Sequence, residues 1–170
     1  MVARQQTWVI SVDPDSSGLN SILVALFNGS GSGITISIMA VTASLVGGQD
    51  IFMDFSLRKI DAAPSGGTVV SPEAFDSTNT ALPVEVTAQI NPTSATAIGN
   101  PLGLSTSSSA FLGTGTTIGT INDVPEDLFR MIGDIEMSPI VLNAGEGISV
   151  VETGQFENGG VNITIVFTVT

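Results

Sequence analysis

The side chains numerous enough to do chemistry in this 170-residue chain are carboxylates: sixteen Asp and Glu stand against four Lys and Arg, with no His, Cys or Tyr. Without His or Cys there is no Ser-His-Asp or Cys-His nucleophile, no imidazole or thiolate metal site, and no imidazole base for neutral pH. What remains is two-carboxyl chemistry, as in glycoside hydrolysis, where one acid protonates the leaving group and the other attacks or activates water. Sixteen acids supply many such pairs by chance. One Trp and eight Phe, most of the Phe at core-type strand positions, leave few platforms on which a sugar could stack. The chain is therefore read as non-enzymatic, with no cofactor.

Two acidic groups invite a cation. Asp13-Pro14-Asp15-Ser16-Ser17-Gly18 has the alternating oxygens and turn glycine that open a calcium loop. The twelfth position, where a bidentate acid belongs, is Val24, and the flanks read as strands. An acidic turn held by Asx hydrogen bonds is the better reading. Asp123, Glu126, Asp127, Asp134 and Glu136 form the densest acidic group, but Arg130 sits among them, and such groups are usually solvated faces. No metal site is expected. Gly29-Ser30-Gly31-Ser32-Gly33 lacks the spacing, Lys and helix of a phosphate loop. The sequons at Asn28 and Asn162 are read as chance.

The elements that must position these residues are strands. Val161, Ile163, Ile165, Phe167 and Val169 recur with a period of two, as do Ile34–Ile38, Ile51–Leu57 and Val84–Ile90. Further strands are expected at 7–12, 19–27, 139–143 and 147–152. Turn signals separate them at Asp13-Pro14, Asn28-Gly29, Gly47-Gly48, Ser65-Gly66-Gly67 and Asn158-Gly159-Gly160. The pattern predicts an all-β antiparallel sandwich with at most one short helix near 125–132, where Asp123 would cap, Pro125 would open and Gly133 would stop it. The domain is expected over 9–170, after an arm at 1–8.

Charged residues make up 12% of the chain, about half the usual ~25%. A net charge of −12 makes it a poor partner for nucleic acid, which is bound by clustered Lys and Arg. The longest compact apolar run, Ile22–Phe27, falls far short of the ~20 residues of a membrane span. Residues 1–7 lack the apolar core of a signal peptide. The apolar excess must therefore be buried in the fold or against neighbouring subunits. From Val86 to Asn122 there is no charged residue, and the Ser/Gly-rich part at 91–122 is either a packed subunit contact or a flexible surface loop.

Several segments, in order, resemble the decoration (cement) proteins encoded among the head genes of tailed phages and prophages. They are Leu26-Phe27-Asn28 with the following strand Ile34–Val41, Leu57–Ala63 with Ser65-Gly66-Gly67-Thr68, then Ser71-Pro72, Asp76-Ser77-Thr78 and Ala81-Leu82-Pro83, and finally Pro139–Ile148. The likeness spans most of 19–169. It departs at Phe167, where a Trp is expected, and over 91–122, which has no counterpart.

The resemblance implies a jelly roll on the outer surface of the virion, bound to the major capsid protein as a homotrimer and touching neither membrane nor nucleic acid. The arm Met1–Gln6, with Arg4 its lone basic residue, and Trp8 are the expected capsid contacts. The alternative is a frayed end with Trp8 covering the base of the sandwich. Competing readings are a head-fibre or tail-associated adhesin for host glycan, which would want exposed aromatics, and a bacterial surface module.

Overall fold

A computed structural model describes residues 6–14, 20–46, 52–108, 126–130, 139–156 and 160–170. In chain order their strands are β1 (Gln6–Val12), β2 (Ile22–Asn28), β3 (Ile36–Val46), β4 (Phe52–Ile60), β5 (Thr68–Val70) and β6 (Glu73–Ala74). The chain continues through β7 (Val86–Ile90), β8 (Ala97–Ser108), β9 (Glu126–Arg130), β10 (Ile140–Leu142), β11 (Glu146–Phe156) and β12 (Gly160–Val169). There is no helix among the described residues, and the named strands all pair antiparallel.

Two sheets result. One runs β10-β3-β12-β1-β6, with β9 also on β3; the other runs β5-β7-β2-β11-β4-β8. Eight of these strands stand in jelly-roll order: β1-β12-β3-β10 in one sheet and β2-β11-β4-β8 in the other. Successive members of the eight cross from sheet to sheet, except that β4 and β8 are neighbours. β5, β6 and β7 belong to the connection between those two.

The period of two decides what is buried. On β12, Val161, Ile163, Ile165 and Phe167 face inward against Ile36, Ile38 and Val41 of β3 and Ile10 of β1. The other sheet supplies Val24, Leu26, Phe55, Leu57, Ile148 and Val150. Burying each such side chain stabilises the fold by roughly 1.5–3 kcal/mol. A second cluster, Ala25, Phe27 and Ile60 with Ala95 against it, lies apart from this core. Gly147 lies beneath it: a Cβ there would meet the Leu26 carbonyl and would sit 2.9 Å from Ile60 Cγ1 and from Phe27 Cδ2.

Two expectations are corrected. The helix near 125–132 is replaced over Glu126–Arg130 by β9, which pairs Ala40–Ala43 of β3. β10 covers only Ile36–Ile38 of the same β3 edge, so the next residues offer free ladder groups. An eight-residue helix is marginal alone, and the ladder hydrogen bonds prevail. The arm does not extend to residue 8, because β1 begins at Gln6 and pairs in register with β12, Trp8 opposite Phe167.

Candidate interaction surface

One end of each sheet is joined by a strap, residues 68–85. Ser71 and Pro72 alone separate β5, the last strand of one sheet, from β6, the last of the other. Such short edge strands end a sheet without offering a long row of unpaired groups.

The strap is pinned. The Phe75 amide donates to the Thr7 carbonyl at 3.0 Å, and Asn79 Nδ2 donates to the same oxygen at 2.9 Å. Gln6 Nε2 donates to Thr80 Oγ1. Asp76 Oδ1 accepts from the Thr78 amide at 2.9 Å and from Thr78 Oγ1 at 2.7 Å, an Asx turn. At the far end the Gly29 amide donates to the Glu85 carbonyl at 3.0 Å, and the Val86 amide donates to Pro83 at 3.0 Å. Underneath, the Gln89 side chain spans the Gly67 amide at 3.2 Å and the Pro64 carbonyl at 3.0 Å.

What this held segment displays is apolar. Val69 is 68% exposed, Phe75 65% and Val84 88%. Single exposed apolar residues are ordinary, but three on one eighteen-residue segment fixed by so many hydrogen bonds are not. Acidic residues lie beside two of them: Glu73 and Asp76 fall within two residues of Phe75, and Glu85 follows Val84. A groove of about 330 Å³ runs between the strap and β1, lined by Val9, Ile10, Ser11, Val12, Val70, Ser71 and Glu73.

The expected capsid contacts separate in the structure. Trp8 is only 7% exposed and belongs to the core cluster, so it is corrected from a partner contact to a core residue. β1 forces this: Trp8 and Ile10 share the inward face. Arg4 lies outside the described residues. So do Asp15–Gly18 of the calcium-like turn, while Asp13 accepts from Asn162 Nδ2 at 2.8 Å. Of the second acidic group, Glu126 and Asp127 are on β9, and Asp123, Asp134 and Glu136 lie outside the described residues. Among the described residues no three acids gather as a metal would need. Nor is any helix among them long and apolar enough to cross a membrane.

Two polar clusters have structural work. Asn28, fully buried, donates through Nδ2 to the Ile34 carbonyl at 2.9 Å and the Leu142 carbonyl at 3.1 Å. It thereby ties the turn after β2 to the end of β10. Glu146 accepts from the Asn143 amide at 2.8 Å and from Lys59 Nζ at 2.9 Å. The Asn143 amide foremost, then the Lys59 ammonium, holds the Glu146 carboxyl below its ordinary value. A carboxylate so occupied is a turn brace, and its lysine is an ion-pair partner.

Val84, expected on the inward face of a strand Val84–Ile90, lies before β7 and is exposed, and the sequence pattern does not single out Val69 or Phe75. Phe75 lies in an aperiodic Pro-Glu-Ala-Phe-Asp stretch, and only the acids on both sides of it hinted that it stays in water. No protein-family model matches this chain, and no curated protein or solved structure matches it.

Proposed function

We propose that the chain is a non-enzymatic virion structural protein, a decoration protein that binds the outer surface of a tailed-phage head and stabilises the junctions between capsomers. The observation that carries this reading is the jelly-roll strand order, the fold implied by the ordered resemblance of residues 19–169 to that family. Jelly rolls serve capsids and lectins alike, so the fold supports the class without deciding within it. The groove beside β1 offers two Ser and one Glu and no aromatic platform, and the exposed aromatic of the strap, Phe75, is not among its lining residues.

In this role the protein works by buried area. It bridges capsid subunits as a homotrimer, and interfaces of about 1,600 Å² repeated over the lattice resist internal pressure. Its partner is the major capsid protein.

Quantitative mass spectrometry of density-purified particles tests the reading by counting this chain against the major capsid protein. Between about one-third and one copy per capsid subunit is the expected outcome for a protein that covers such a lattice. A handful of copies per particle would move the chain to a fibre or tail and make glycan binding the function. Finding none would end the virion assignment.

A further inference from the structure

We infer that the strap, residues 68–85, is the docking face, and that its partner is a protein surface combining apolar pockets with Lys and Arg. The inference rests on the decoration reading and adds to it which face binds and what chemistry it meets.

Two observations lead there. The first is the pinned apolar display: Val69, Phe75 and Val84 stand in water on backbone tied to β1 and to the turn after β2. A segment already held in one geometry loses little conformational freedom on binding, which is where preorganised surfaces gain affinity. Exposed apolar anchors with polar and charged residues around them are also the anatomy of protein interfaces.

The second observation is the sign of the strap's charges. Glu73, Asp76 and Glu85 are the charged residues of the strap, and β1, β2 and β7 beside it carry none. The basic residues among those described are Arg58 and Lys59 on β4 and Arg130 on β9. β4 is three strands from β7 and four from β5, and β9 is four from β6. At about 4.8 Å per strand these cations lie roughly 14–19 Å away, beyond the ~8 Å screening length at physiological salt. Lys59 is in any case held by Glu146.

Two copies meeting strap to strap would therefore oppose acid to acid on chains of net charge −12. The strap disfavours a second copy of itself and fits a cationic partner.

The test uses heads purified from a phage deleted for this chain, with added protein followed by co-sedimentation across a salt series. Wild-type protein binds saturably and more weakly as salt rises. Phe75→Asp and Val84→Asp each weaken binding about tenfold or more, as loss of a central apolar anchor does. Glu73→Gln with Glu85→Gln weakens binding severalfold and flattens the salt dependence. Leu102→Asp, on β8 at the opposite edge, leaves it unchanged. Thermal melts confirm that each variant is folded. Wild-type binding with both Asp variants unaffected overturns the docking face and spares the decoration reading. Tighter binding by the Gln pair overturns the cationic partner. Failure of the wild type to bind overturns both readings.

Discussion

The strap and β8 lie at opposite edges and end the sheet they share by opposite means, while the other sheet's far edge is short again, at β10. At the strap edge, β5 and β6 have three and two residues, flanking side chains tie them down, and the charges of the strap itself are all acidic. At the other edge, β8 runs for twelve residues without one charged side chain, interrupted by Gly99 at φ 70° and by Pro101. Long uncharged edges risk pairing with other chains, and Gly and Pro blunt them. The strap edge solves the same problem with geometry and so can present apolar side chains in a fixed position. Under the proposed docking role, the contrast is between a surface that displays apolar anchors and one that ends a sheet.

Mutations can break or sharpen that contrast. The largest effect is expected beneath the strap: Trp8→Ala should lower stability by about 3–5 kcal/mol in chemical denaturation, because it empties the core where β1 meets the strap. Trp8→Phe should be much milder, since Trp8 Nε1 has no hydrogen-bond partner among the described residues. If Trp8 were instead a partner contact, Trp8→Ala would leave the melt unchanged.

Next comes Gly67→Ala. A Cβ there would lie 2.5 Å from the Ile90 carbonyl and 2.9 Å from Pro92, on backbone that cannot yield, so about 1–3 kcal/mol is expected.

A smaller effect depends on pH. Because the folded protein holds the Glu146 carboxyl below its ordinary value of 4.5, the brace contributes fully above that pH. Its contribution fades as pH falls through the lower folded-state value. Acid titration of stability should therefore be shallower in Glu146→Gln than in wild type below about pH 4.5, with a difference on the order of 1 kcal/mol. Identical acid limbs would remove Glu146 from the account.

Smallest is Phe75→Ser. With its ring exposed, the substitution should change stability by less than about 0.5 kcal/mol while weakening attachment to heads. A large loss of stability would show that Phe75 is part of the packing.

Much of this contrast was illegible in the sequence. Of the long strands, β1 and β12 bury alternate residues, so the period of two shows in the sequence, whereas β2 is buried on both faces over Leu23–Asn28 and was readable as a compact apolar run instead. The short β5 and β6 were not: strands of three and two residues show no period, and they form because β7 and β1 offer edges to pair with. The helix near 125–132 failed for the same reason. Local signals such as Pro125 and the neighbouring acids weighed less than the open edge of β3. The candidate contacts divided likewise. Trp8, taken for an arm residue, is core by register, while Phe75 is held in water by hydrogen bonds to a strand almost seventy residues away. The resemblance over 19–169 anticipated the jelly roll. Residue pattern alone reached only the sandwich.

Hydroxyl-radical footprinting of the protein, free and on particles, tests the docking face most directly by comparing Phe75 with Leu102. Both are exposed in the free chain and should be labelled there. On particles, the account predicts strong protection of Phe75, Val69 and Val84. Equal labelling of Phe75 in the free and bound states would contradict it.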